Sequence, residues 1–132
     1  MILVDSSVWI DFFSPSPGPG GAELRRMTVA GEPFTLTGVV VTEVLQGLTR
    51  DVPRIEGYLS KWPLLEPNGM LTYREAAAIF RLARSRGFSL STIDSLIAAV
   101  ALEHGASVFT LDADFSRVAK LTGLTLHIHR TA

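Results

Sequence analysis

Cysteine is absent from the 132-residue chain. That excludes disulfides and thiolate metal sites. Lysine is nearly absent: only Lys61 and Lys120 occur, and every other basic residue is arginine. No charge of either sign prevails, since 12 Lys+Arg face 13 Asp+Glu for a formal net charge of −1. A balanced chain does not coat nucleic acid by bulk electrostatics, although a local basic patch stays open. No apolar run is long enough to span a bilayer. Met1-Ile2-Leu3-Val4 carries no basic flank, and Asp5 and Asp11 break any apolar continuation. The expectation is therefore a cytoplasmic protein without a targeting segment. A hydrophobic content of 47% with 19% charged residues fits an ordinary globular core. The length fits one domain over residues 1–132.

The chain alternates strand and helix signals. Ile2-Leu3-Val4 reads as a buried strand, stopped by Asp5-Ser6-Ser7. Val8, Trp9, Phe12 and Phe13 recur at helical spacing, and the proline- and glycine-rich stretch 14–21 reads as a loop. Helices are expected over 22–30, from Gly38 to about Leu48, over 52–61, over 71–86, over 91–104 and over 115–121. Strands are expected at 34–37, 64–65, 107–111 and 124–128. This order predicts an α/β fold: helices on both faces of a parallel sheet of four to five strands. Trp9, Phe12, Phe13 and Trp62 cannot all be assigned to the core by pattern, which suggests self-association.

In such sheets, ligands bind beyond the carboxyl ends of the strands. Asp5 follows the first strand, Glu43 lies about one turn beyond the second, and Asp112 and Asp114 follow the strand at 107–111. Asp94 opens the helix before that strand. Each acid also has a plainer reading. Asp5 suits a helix N-cap. Ser91-Thr92-Ile93-Asp94 fits a capping box, and Asp112 or Asp114 suits a turn and cap before Phe115. Glu43 resists such a reading, because it lies within the apolar stretch Val39–Leu45. Together the acids repel and call for a counter-charge. Oxygen ligands select a hard divalent cation, Mg²⁺ or else Mn²⁺, of the kind that assists phosphodiester hydrolysis.

Other sites are poor. Gly18, Gly20 and Gly21 lack the Gly-Lys-Ser/Thr of a phosphate loop. Ser6 and Ser7 lack a nucleophile-elbow context. His104 stands at a helix end, and His127 and His129 alternate near the end of the sequence as surface residues would.

Val4-Asp5-Ser6-Ser7-Val8-Trp9-Ile10-Asp11 resembles the opening of PIN-domain ribonucleases, specifically VapC-type toxins of toxin–antitoxin systems. Ser6 replaces their usual threonine and keeps the hydroxyl. Thr42-Glu43-Val44-Leu45-Gln46-Gly47 is similar to the second motif of that family, Ser91–Ala99 to the third, and Thr110-Leu111-Asp112-Ala113-Asp114-Phe115 to the fourth. The four occur in order along the whole chain.

The resemblance implies a three-layer α/β/α fold, Mg²⁺-dependent RNA cleavage, and inhibition by a VapB-type antitoxin. It also implies a homodimer. It carries the acidic site onto Asp5, Glu43, Asp94 and Asp112, with Asp114 as a variable fifth position. Asp5, Asp94, Asp112 and Asp114 would hold the metal, Glu43 would orient or deprotonate the attacking water, and Ser6 and Ser7 would support Asp5 or a water. Arg25 and Arg26, and Arg81, Arg84 and Arg86 on the long helix, are candidate contacts to RNA or antitoxin. Two other functions compete. An acid-site phosphohydrolase of the dehalogenase type wants a second acid two residues after Asp5, and Ser7 stands there. A receiver-like signalling domain wants a strand-end lysine, and Lys61 and Lys120 are badly placed for it.

Overall fold

A computed structural model describes residues 1–128. Four short strands, β1 (Ile2–Val4), β2 (Leu36–Thr37), β3 (Leu64–Leu65) and β4 (Ser107–Phe109), form two parallel ladders, β1 with β4 and β2 with β3. A parallel bridge between Leu3 and Thr35 joins the ladders. There Val4 N–H donates to the Thr35 carbonyl and Thr35 N–H to that of Ile2, at 2.9 and 2.8 Å. The sheet thus runs β3-β2-β1-β4. The strand expected at 124–128 shrinks to a single parallel bridge at Leu126, which pairs with Val108. His129 lies outside the described residues.

Seven helices complete this α/β/α arrangement among the described residues: α1 (Ser6–Phe12), α2 (Pro19–Ala30), α3 (Gly38–Gln46), α4 (Val52–Leu59), α5 (Gly69–Ser85), α6 (Thr92–His104) and α7 (Asp114–Leu121). Leu3, Val4, Val108 and Phe109 of the sheet are fully buried, as are Ile97 and Val100 of α6. This is the near-continuous apolar character of strands covered on both faces.

Helix α3 begins at Gly38, where the sequence reading places it, and takes in Val39-Val40-Val41 despite their strand preference. Burial of Val40 and Val44 on one face overrides the intrinsic preference. Other boundaries depart from the sequence reading. The expected loop over 14–21 ends early, because α2 begins at Pro19. The Asp11 carboxylate accepts Gly18 N–H at 3.0 and 3.1 Å and Gly21 N–H at 2.7 Å, satisfying amides at the start of that helix. The strand expected at 34–37 is reduced to Leu36–Thr37, and β4 ends at Phe109, so Thr110 and Leu111 leave the strand.

The aromatics form one cluster. Trp9 is fully buried, with Phe34 stacked on Trp62 at 4.9 Å and Phe12, Phe13, Tyr58 and Trp62 within 6.3 Å of the Trp9 ring. The four aromatics that pattern left unplaced therefore pack against the core, with Phe12, Phe13 and Trp62 half-buried.

Candidate active site

The candidate site occupies the carboxyl edge of β1 and β4. Asp5 ends β1 and is buried at the N-cap position of α1, yet its side chain caps nothing. Instead its Oδ2 accepts the Ser7 hydroxyl at 2.8 Å and the Thr110 hydroxyl at 2.9 Å. Those hydroxyls are themselves held. Ser7 Oγ accepts Leu111 N–H, and Thr110 Oγ1 accepts Asp112 N–H, both at 3.0 Å. Leaving β4 at Phe109 is what frees Thr110 to turn toward Asp5. The other oxygen, Asp5 Oδ1, is buried with no hydrogen-bond partner among the described residues. Such an orphan is costly unless something else satisfies it.

Asp94 opens α6. Ser91 caps that helix, its hydroxyl oxygen accepting Asp94 N–H at 3.0 Å. The capping reading is thus correct for Ser91. Asp94 itself carries a second burden: burial foremost, then the charges of Asp5, Asp112 and Glu43, push its carboxyl up to about 6, against an opposing hydrogen bond with Ser91. Glu43, on the outer half of α3, is only half-buried, so the full burial expected from its apolar neighbours is not found. Its carboxyl is also raised, first by desolvation and then by the Asp5 charge, while the Ser6 hydroxyl, donating to Oε1 at 3.0 Å, pulls it down. Four acids thus share one electrostatic neighbourhood.

One carboxylate oxygen each from Asp94, Asp112 and Asp114 lies within 4.8 Å of the others. Asp5 stands outside that set. Asp112 does double duty, its Oδ1 accepting Asp114 N–H at 2.9 Å as α7 begins. Asp114 faces Arg117, whose Nη1 stands 3.4 Å from Oδ1 and whose guanidinium lies 5.7 Å from the Phe88 ring.

The raised carboxyls, the orphaned Asp5 Oδ1 and the three converging carboxylates fit a hard cation with oxygen ligands. The residues present therefore suit a divalent metal.

The arginines separate. Arg26 is engaged by Glu23 and by Glu32, the latter at 2.9 Å, and Glu23 also holds His127 at 3.2 Å. Arg25, Arg81, Arg84 and Arg86 are exposed. Lys61, needed at a strand end by the receiver-like reading, instead follows α4 and lies over the Tyr58 ring at 4.9 Å. Thr110 and Arg117 are neighbours of the acids that sequence reasoning did not single out. The only signals were the threonine within the fourth motif and the three-residue spacing of Arg117 from Asp114.

The family model described as PIN domain matches residues 2–121. The chain belongs to the PIN-domain family. Within it, the chain is 33% identical over 128 residues to ribonuclease VapC11 of Mycobacterium tuberculosis strain H37Rv, covering 94% of this chain and 96% of the relative. The VapC ribonuclease Mb1587 of Mycobacterium bovis matches with the same identity and coverage. Solved structures share the fold. VapBC2 from Rickettsia felis, bound to a promoter DNA fragment, superposes with a TM-score of 0.75 at 16% identity, covering 96% of this chain and 98% of that one. FitAB bound to the IR36 DNA fragment gives 0.74 at 22% identity over the whole of both chains. This PIN domain contains no helix long and apolar enough to cross a membrane, among the described residues.

Proposed function

We propose that this PIN domain, acting as a single domain over residues 1–132, is a Mg²⁺-dependent endoribonuclease, the toxin of a toxin–antitoxin pair. The observation that carries the reading is the shared electrostatic neighbourhood of Asp5, Glu43, Asp94 and Asp112 at one sheet edge, in a chain 33% identical to VapC ribonucleases. The toxin–antitoxin assignment draws on the same relatives and on fold neighbours that include VapBC complexes. Its partners would be RNA and a VapB-type antitoxin, and its setting the cytoplasm.

Asp94, Asp112 and Asp114 would hold the ion, with Asp5 completing the set through Oδ1. The ion, when bound, supplies Lewis-acid stabilisation of charge developing on the phosphate. Ser7 and Thr110 fix the Asp5 carboxylate in one orientation. Ser6 occupies Glu43 Oε1, which leaves Oε2 to accept a proton from the water that attacks phosphorus in line. The raised carboxyl of Glu43 suits it to that role, since a base works best with a pKa brought toward the working pH. Mn²⁺ fits the same oxygen donors.

The test is cleavage of cellular RNA by purified protein in Mg²⁺. Products should carry a 5′-phosphate and a 3′-hydroxyl, and both EDTA and Asp94→Asn should abolish them. Sequencing of RNA 5′ ends after brief induction, wild type against Asp94→Asn, locates the cut. Equal cleavage by Asp94→Asn and wild type would overturn the site. No cleavage by wild type on any RNA would overturn the function.

A further inference from the structure

The α5–α6 hairpin carries a groove of about 510 Å³ that the acidic site does not use. That volume lies within the roughly 300–1,000 Å³ of small-ligand sites. Tyr73 and Phe80 line it from α5, seven residues apart on one face, and Arg81 and Arg84 stand beside them. Thr92 and Ser95 line it from α6. These last two bracket Asp94, so the groove opens within one helical turn, roughly 5 Å, of an acid in the candidate site.

Three features indicate what fits there. Tyr73 is 53% exposed, although aromatic surface is usually withdrawn from water. The small side chains of Ala76 and Ala77 keep the floor between the two rings shallow, as a flat ligand requires. Among the described residues, Arg26, Arg54 and Arg117 each pair with a carboxylate, but Arg81 and Arg84 pair with none. Arg84 instead lies over the Phe80 ring, its guanidinium carbon 5.9 Å from the centroid. Aromatic faces with unpaired arginines on one rim form the usual platform for single-stranded nucleic acid: bases stack on the rings and phosphates meet the guanidinium groups. A base paired within a helix does not expose its face to such a slot.

We infer that the α5–α6 groove is a subsite for single-stranded RNA, holding the unstacked base of a nucleotide beside the scissile bond against Tyr73 and Phe80 while Arg81 and Arg84 contact its phosphates. This inference rests on the ribonuclease reading above. It adds to that reading the place on the chain that holds the strand beside the cut.

Binding is measured without metal, in EDTA, by fluorescence anisotropy of short fluorescein-labelled oligoribonucleotides of mixed sequence. Wild type should bind these and bind the same strands poorly once annealed to their complements. Arg81→Gln/Arg84→Gln should weaken binding by about tenfold or more. It should also reduce the slope of log affinity against log salt by about 1.4, two phosphate contacts at the single-strand value. Tyr73→Ala should cost about fivefold or more. Arg54→Gln, an exposed charge on α4, serves as a control that leaves binding unchanged, and thermal melts verify that each variant folds. In Mg²⁺, the groove variants should lose cleavage mainly through KM, whereas Asp94→Asn loses it through kcat. Wild-type cleavage with unaltered binding by both groove variants would overturn the subsite and leave the ribonuclease reading standing. So would tighter binding of duplex than of single strands. A change in oligomeric state or antitoxin binding with RNA affinity intact would make the groove a protein-docking surface and would equally overturn the inference. Absence of any cleavage by wild type would instead remove the reading beneath it.

Discussion

The Thr110 hydroxyl donates to Asp5 Oδ2 at 2.9 Å, joining residues 105 positions apart in sequence. The same oxygen receives Ser7 at 2.8 Å. Two hydroxyls, each anchored by a backbone amide of the segment after β4, thus fix one carboxylate. Side chains that orient a metal ligand typically matter by about 10–100-fold in affinity or activity.

Thr110→Val removes one of the two fixed donors while keeping the shape. RNA cleavage should fall by about tenfold or more, and the Mg²⁺ concentration for half-maximal rate should rise. Global stability should fall by about 1–3 kcal/mol, because the same hydroxyl also accepts Asp112 N–H and both hydrogen bonds are lost. Titrating Mg²⁺ against initial rate, beside a urea melt, separates the two effects. An unchanged Mg²⁺ dependence would mean that Thr110 does not position Asp5.

Metal-free stability should depend on pH through Asp94. Its carboxyl is raised from 3.8 to about 6, so the folded chain takes up a proton that the unfolded chain does not hold in that window. This contribution to stability is fully present below pH 3.8 and is lost as pH climbs through about 6. In EDTA at neutral pH, Asp94→Asn should therefore be more stable than wild type, on the order of 1–2 kcal/mol once solvent screening is allowed for. The advantage should vanish near pH 4. Mg²⁺ should raise the Tm of wild type and leave that of Asp94→Asn nearly unchanged. Thermal melts at the two pH values, with and without Mg²⁺, check all three points.

The acids stood out in the sequence because each follows a strand or opens a helix, and strand ends are where such folds place their chemistry. What holds the acids was much less visible. Ser7 was legible as a neighbour of Asp5, but the Thr110 bond depends on where β4 stops, and residue preference does not set a strand end to one position. Glu43 showed the opposite difficulty. Its apolar neighbours suggested burial, yet a helix turns a polar residue outward between buried ones, and Glu43 is half-exposed beside Val44. The start of α2 was hidden for a third reason. Prolines and glycines read as loop, while the helix depends on Asp11, a carboxylate from the preceding helix.

The Ser6–Glu43 bond should set the acid side of the pH–rate profile. The Ser6 hydroxyl lowers a Glu43 carboxyl that burial and Asp5 raise. Ser6→Ala removes the only one of these influences that favours the charged form. The acidic limb of kcat should therefore move to higher pH, with the rate at alkaline pH affected less. Glu43→Gln should abolish the limb together with most of the activity, about 100-fold or more for loss of a general base. An identical acid limb in Ser6→Ala and wild type would exclude Glu43 as the titrating base.

Gly21 lies where α1 and α2 cross. A Cβ there would meet Phe12 N at 2.9 Å, Phe12 Cα at 3.0 Å and Pro17 Cβ at 3.0 Å. Two of these neighbours are backbone atoms and cannot swing aside as a side-chain tip does. Gly21→Ala must therefore push α2 away from α1, and with it the amide that donates to Asp11. The expected cost is about 1–3 kcal/mol. Gly57 provides the contrast. It is exposed on α4, with nothing within 4 Å of the added atom. There the same substitution should stabilise by about 0.5–1 kcal/mol through its helix preference alone. Urea denaturation of both variants reads the difference in sign. If Gly21→Ala matched wild type, the two helices would have to be able to separate at no cost, and the Asp11 clamp on α2 would hold nothing in place.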